Sequence, residues 1–353
     1  MKRLVVSLII CLALLTACNT AIEDKEEVPA EVVVEPEEVE EPERILSYLS
    51  GLEIEEEFLS QRPMAIMYDN HPDARWQCNL KEAELIYEIP VEGTFTRYMG
   101  LFLINEPNLI GSVRSARPYF VELAHEYGAV YVHAGGSEDA KAACRSMNVV
   151  DMDAIIASPQ EFWRVDHKKA PHNLYTSTEA IRNFEKNSSK QVDFPTENDR
   201  FLFDEGAKLL SKELQKLIIK YFSDNVTVYE YNKETNDYSR YKDGKEHVDE
   251  SDENPLMAKN IIIQKTNSRV LDSEGRLAVT MVGSGEGYLF RDGTFEEILW
   301  ERPTLSDITR YTYKDGKPIV LKPGITWIQV TDQLTQILKS EEPYESISPD
   351  NES

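Results

Sequence analysis

Histidine and cysteine are scarce in this chain, six and four in 353 residues, and their spacing excludes more than their number does. Cys11 and Cys18 fall in the first eighteen residues, which leaves Cys78 and Cys144 for a folded body. Neither has a second cysteine or a histidine three or four positions away, so the short-spaced zinc motifs are absent and the residues call for no metal or cofactor. Two distant cysteines make no disulfide framework; one bridge and two buried thiols both stay open. A phosphate-binding Walker loop, a G-x-S-x-G nucleophile elbow and an H-E-x-x-H helix are also missing. Positive charge is short as well: 38 Lys and Arg stand against 63 Asp and Glu, a formal charge of -25. With no basic stripe to neutralise phosphates, nucleic acid is excluded as a partner. Long apolar runs are lacking too, since the single one, Leu4 to Leu15, is shorter than the roughly 20 residues that cross a bilayer.

What that run does suit is the core of a signal peptide. Lys2 and Arg3 precede it, and Leu15-Thr16-Ala17-Cys18 closes it with small residues and a cysteine. This arrangement resembles a bacterial lipobox, in which residues 1–17 are removed and Cys18 is lipidated to become the new N-terminus. The alternative is a plain secretory signal with an incidental cysteine. A lipidated cysteine carries more than one acyl chain, enough for stable anchoring, so the expected address is the outer face of the cell membrane and the expected membrane contact is the lipid on Cys18.

Residues 18–60 read as a lipidated start followed by an acidic tether. From Asn19 to Arg44 there are 11 acidic and two basic residues among Val and Pro, a composition that stays solvated and self-repelling. Up to Gln61 the tether spans at most roughly 130–150 Å fully extended, or about 35 Å as a flexible coil. Ile45 to Leu59 shows some helical spacing. Residues 61–190 read as an N-terminal α/β domain: strands at Ala65–Tyr68, Leu85–Val91, Thr96–Ile104 and Ala129–His133, with helices at Pro118–Tyr127, after Ser137, and from Thr178. Residues 205–338 read as a β-rich domain. Its strands at Leu217–Phe222, Val226–Tyr231, Tyr238–Tyr241, Ile261–Gln264, Ala278–Val282 and Trp327–Val330 are punctuated by Asp-Gly turns. An acidic tail, 339–353, follows. The expected class is α+β, a mixed α/β fold with a layered first half and a mostly antiparallel second half.

Four groups of residues are placed to do chemistry. Arg114, Ser115 and Arg117 lie at a helix entry, and His133, Gly135, Gly136 and Ser137 form a strand end, a Gly-Gly turn and a helix N-cap. Paired guanidiniums and free helix N–H groups make a receptor for phosphate, sulfate or carboxylate; the opposing reading pairs the arginines with Glu122, Glu126 or other carboxylates. Asp69, Asn70 and His71 close a strand, where Asp69 and His71 could act as acid or base or simply form an Asx-turn with Pro72. Glu92 with Arg97 is a third group, a base and its orienting partner or a structural ion pair. Trp163, Arg164, His172 and Asn173 could line a sugar-binding surface or serve packing. Asp151 and Asp153 alone are weak evidence for a cation.

At these residues the chain resembles the YerB-like lipoprotein family of Gram-positive bacteria. The resemblance runs through Asp69-Asn70-His71-Pro72-Asp73-Ala74-Arg75, Val91-Glu92-Gly93, Ile110 to Arg117, His133 to Ser137, Phe162-Trp163-Arg164 and Ala170 to Tyr175, then Gly283-Ser284-Gly285 and Pro323 to Trp327. It departs at Trp76-Gln77-Cys78, where a small residue is expected in place of the cysteine, and this speaks against a catalytic Cys78. The resemblance implies a membrane-anchored extracytoplasmic α/β protein and names no reaction. Three functional readings follow: a receptor for an anionic or glycan component of the envelope; a hydrolase or phosphoryl or glycosyl transferase acting on envelope polymers through Asp69, His71 and Glu92; and a scaffold that recruits proteins by its strand edges.

Overall fold

Apolar runs broken by Gly and Asp turns build the strands around which this protein is organised. The structure is a computed structural model and describes residues 44–190 and 200–340. The signal segment 1–17, Cys18, the acidic tether up to residue 43 and the tail from residue 341 lie outside the described residues.

The first half contains strands β1 (Met64–Tyr68), β2 (Leu85–Pro90) and β3 (Thr96–Phe102), helix α1 (Pro118–Glu126), β4 (Val130–His133), α2 (Glu138–Ser146), β5 (Val150–Asp153) and α3 (Thr178–Asn187). Pro118 starts α1, where a missing N–H costs nothing. Ser137 and Ser177 cap α2 and α3 by accepting from Ala140 N and Ala180 N, both at 3.2 Å. The second half contains β6 (Lys216–Phe222), β7 (Asn225–Asn232), β8 (Asp237–Lys242), β9 (Asn260–Lys265), β10 (Gly283–Arg291), β11 (Thr294–Arg302), β12 (Arg310–Tyr313), β13 (Thr326–Thr331) and β14 (Gln336–Ser340). The class is mixed α/β, with a second, antiparallel sheet built from β8, β7, β6 and β14.

The main sheet runs β11-β10-β9-β13-β2-β3-β1-β4-β5 and reaches 11 strands with β12 and the short strand Lys212–Glu213. It draws on both halves: β13 lies between β9 and β2 and pairs parallel with each, Ile262 and Tyr87 both facing Ile328 in the register. β1, β4 and β5 are mutually parallel neighbours. Side-chain alternation along β1 sends Ala65 and Met67 to one core and Met64, Ile66 and Tyr68 to the other. The first core takes the apolar faces of α1 and α2; the second takes α3 and the inner face of the antiparallel sheet. Three layers result.

Two local expectations are corrected. Ile45 to Leu59 forms a Leu46–Glu53 bridge and a short 3-10 turn, Glu56–Ser60, in place of an α-helix. The cause is Glu84, a buried carboxylate that accepts from the Ser47 and Ser50 hydroxyls and from Leu103 N and Ile104 N, so that residues 47–50 are already part of the packed body. Ala278–Val282 contributes strand only over Leu277–Val279. The long β10–β11 hairpin, by contrast, goes beyond the turn signal at Asp292-Gly293. Its first strand begins Gly283-Ser284-Gly285-Glu286-Gly287, a composition that reads as loop.

Candidate functional site

Parallel strands β1, β4 and β5 end side by side, so the residues at or just past their carboxyl ends, Asp69, His133 and Asp153, fall along one edge. Ligand crevices of α/β sheets open at such edges. The loop after β3 threads between the ends of β1 and β4: Asp69 N donates to Ser112 O at 3.0 Å, Arg114 N to Met67 O at 3.0 Å, and Ala134 N to Arg114 O at 3.1 Å. This loop carries Arg114 to Asp69.

Asp69 is buried and is the hub. Its Oδ1 accepts from His71 N at 3.0 Å, and its Oδ2 lies 2.7 Å from His172 Nδ1 and 3.2 Å from Arg114 Nε. The carboxylate accepts, so His172 donates through Nδ1 and keeps a lone pair on Nε2, the orientation that suits a general base or a metal ligand. His71 stacks on His172 with ring centroids 4.6 Å apart and on its other side meets Phe95 at 5.0 Å. His71, Asp73 and His172 bring one ligand atom each within 4.8 Å of one another. Asp73 is exposed.

His172 sits at the rim of a cleft of about 1060 Å³ lined also by Asp73, Arg75, Trp76, Lys168, Lys169 and Glu250. The cleft is made by both halves of the chain. Lys168 Nζ donates to Ala74 O at 2.9 Å and Trp76 O at 2.7 Å, and pairs with Glu250. Glu250 also accepts from Tyr175 Oη at 2.7 Å and contacts His167 at 2.6 Å. Burial, reinforced by Glu250, pushes the Tyr175 hydroxyl well above its ordinary range, so Tyr175 stays a donor. Trp76, half-buried, packs its ring on His247 at 5.0 Å. Beneath it, His247 Nε2 meets Gln77 Oε1 at 2.7 Å and Gln77 Nε2 donates to Asp69 O at 2.8 Å. Burial, then Arg240 and Lys242, drives His247 far below its usual value. It is a neutral spacer.

The arginine turn and the Gly-Gly turn do converge, through an Ala116–Gly136 bridge. Glu92, Ser115, Arg117, Gly136 and Ser137 line a cavity of about 240 Å³. Arg276 lines it too and pairs with Asp272 at 2.7 Å, and the guanidiniums around Glu92 are already engaged: Arg97 Nη2 donates to Glu92 Oε1 at 2.6 Å, and Arg117 grips both oxygens of the same carboxylate. Arg97 Nη1 takes Ser115 O at 2.7 Å and Arg117 Nη1 takes Ala116 O at 2.6 Å. Burial, then Arg117, pulls Arg97 down to about 10. Burial pushes Glu92 up, but Arg97 and Arg117 outweigh it and hold the carboxyl below its usual range. A carboxylate clamped this way has little basicity to offer, and its geometry is that of an ion-pair strut.

The other sequence candidates take local roles. Asn70 donates to Thr96 Oγ1 at 2.7 Å from a buried position. Asn173 clasps the loop below it through Val165 O and Lys168 O and receives Arg164 Nη1 at 2.6 Å. Trp163 lies on a short strand, Trp163–Arg164, that pairs with Leu174–Thr176, away from the cleft lining. Gly135, at φ +63, donates to Asp153 Oδ1 at 2.6 Å and accepts from His133 Nδ1 at 2.9 Å. Cys78 and Cys144 are buried free thiols, and burial raises Cys78 to about 12. Trp76, Lys168 and Glu250 escape sequence reasoning as ligand residues. Trp76 follows the polar stretch Asp69-Asn70-His71-Pro72, and a tryptophan beside such a turn was the available signal.

Among the described residues no helix is long and apolar enough to cross a membrane. The family described as "Protein of unknown function (DUF3048) N-terminal domain" matches residues 49–192, and the corresponding C-terminal domain matches residues 217–328. The chain is 33% identical over 294 residues to "Putative lipoprotein YerB" of Bacillus subtilis (strain 168), covering 81% of this chain and 86% of the relative. The crystal structure of the YerB protein from Bacillus subtilis superposes with a TM-score of 0.75 at 31% identity, over 84% of this chain and all of that one. The chain belongs to the DUF3048 family and carries both of its domains.

Proposed function

We propose that this protein is a lipoprotein held at the outer face of the cell membrane by lipid on Cys18, and that it binds a glycan polymer of the envelope bearing anionic groups. The observation that carries this reading is the cleft of about 1060 Å³. It is wide enough for a sugar unit and its neighbours, on the scale of small-molecule sites. Trp76 offers a flat apolar face for a sugar ring, and exposed Lys169 supplies a cation for an acidic substituent. His172, oriented by Asp69, adds a polar group at the rim. Asp73, Asp249, Glu250 and Glu253 also line the cleft, so Lys169 would select an acidic substituent at close range while long-range attraction stays weak.

The test is co-sedimentation of the full chain, purified in mild detergent, with purified cell-wall polymer. Wild type should be retained, with Trp76→Ala and Lys169→Ala each losing about tenfold in affinity, the scale of one good contact. Equal retention of both variants and wild type would remove the cleft from any binding role. The Asp69–His172 pair favours a second reading, hydrolysis of the same polymer with His172 as base. Release of soluble fragments that stops in His172→Gln would assign it, and a polymer left intact would discard it.

A further inference from the structure

We infer that His133, Cys144 and Asp151 form a binding site for a single transition-metal ion of the zinc class, on the edge of the main sheet and separate from the cleft. The imidazole at the end of β4, the thiol on α2 and a carboxylate of β5 bring one ligand atom each within 4.8 Å of one another. His133 Nε2 and Asp151 Oδ2 are 3.9 Å apart, a separation that a metal with bonds of about 2.0–2.3 Å can span.

The imidazole carries the argument. The His133 side chain is 1% exposed, and its Nε2 has no hydrogen-bond partner among the described residues. A buried polar nitrogen left unpaired costs on the order of 1–3 kcal/mol, and a lone pair aimed at a thiol and a carboxylate is what a cation would satisfy. The tautomer is fixed for this purpose. His133 Nδ1 bonds Gly135 O at 2.9 Å, which places the proton on Nδ1 and leaves Nε2 basic, the usual outer arrangement of a metal-ligating histidine. Burial lowers the affinity of His133 for a second proton, so proton competition is weak.

Asp151 is steered in the same way. Its Oδ1 is held by Lys190 Nζ at 2.7 Å, while Oδ2 faces His133. Cys144 is buried, and burial together with Asp151 raises its thiol to about 12 without a metal. A divalent cation between the groups would displace that proton and relieve the repulsion. Sulfur, nitrogen and oxygen donors together select a borderline ion such as zinc over calcium or magnesium. Asp151 and Lys190 are 24% and 32% exposed, so ions have a path in, and a water can complete four-fold coordination. The three residues are scattered along the sequence, which is why no short motif announces them.

The full chain, stripped with chelator and titrated with cobalt(II), should bind one equivalent and develop a thiolate-to-cobalt charge-transfer band with tetrahedral d–d absorption. Zinc should displace the cobalt. Cys144→Ser should abolish the charge-transfer band, and His133→Gln and Asp151→Asn should each weaken binding at least tenfold. Cys78→Ser, a thiol outside the site, should leave the band unchanged. Absence of the band in wild type, or its persistence in Cys144→Ser, would overturn the site. Asp151→Asn changes a partly exposed side chain, so unaltered cobalt affinity in that folded variant would equally refute it.

Discussion

Among individual residues, one buried electrostatic commitment lies outside the cleft. Glu88 is fully buried and bonds Arg240 at 2.5 Å, Lys242 at 3.0 Å and Thr96 at 2.7 Å, tying a strand of the first half to β8 of the second. The Arg240 guanidinium also lies 4.2 Å from the Trp327 ring centre. Burial alone would raise the Glu88 carboxyl, but Lys242 and Arg240 outweigh it and bring it to about 2. A depressed acid contributes stability that is complete above its unfolded pKa and disappears as pH falls through the folded one. That window runs from about pH 5 down to about pH 2, for a contribution on the order of 3 kcal/mol. Glu88→Gln should lose about 3–5 kcal/mol at neutral pH, because two buried cations remain unpaired, and should flatten the acid limb of the stability profile. Urea unfolding between pH 2 and 7 measures both; an unchanged midpoint for the variant would contradict the role. None of this was flagged in the sequence, although Tyr238, Arg240 and Lys242 alternate on the buried face of β8. Charged residues on an inward stripe were the legible warning. Asp69 was legible as an acid or base and His172 as a pocket-lining group, but their meeting was not, since 103 residues separate them and only the sheet edge brings them together.

Among elements, strands with two apolar faces declared themselves, and β1, β2, β3, β4 and β13 follow the sequence closely because burial on both sides leaves no other use for such runs. The β10 strand did not, because its glycines serve contact and not flexibility. A Cβ on Gly287 would run into the Ile263 carbonyl of β9, and one on Gly285 would lie 2.6 Å from Trp300 Nε1 and 2.8 Å from Lys265 O. Small residues here let β10 lie against β9 and under the Trp300 ring, whose Nε1 donates to Lys265 O at 2.8 Å. Gly287→Ala should therefore cost about 1–3 kcal/mol by overpacking. Calorimetry checks it, and a neutral or stabilising effect would show that the β9–β10 approach is not tight. The Ile45–Leu59 segment failed as a helix for a complementary reason: long-range hydroxyl bonds to Glu84 outweigh a weak periodicity.

For the whole molecule, the two sequence halves are joined at the level of the main sheet and again at the cleft. Asp249 accepts Asn79 N at 2.8 Å and Lys81 N at 3.1 Å, and Glu250 N donates to Gln77 O at 2.9 Å, so the loop before β9 shapes the same wall that Trp76 and Lys168 build. Composition announced two differently built halves; that they share a sheet was illegible, because parallel pairing of β13 with β2 and β9 leaves no local mark. Binding of the envelope glycan, as proposed, depends on this composite cleft. Hydrogen–deuterium exchange of the full chain, with and without soluble cell-wall oligosaccharide, tests it most directly. Protection concentrated in residues 73–76, 167–172 and 248–253 is the predicted result. Protection confined to other segments, or none at saturating ligand, would contradict it.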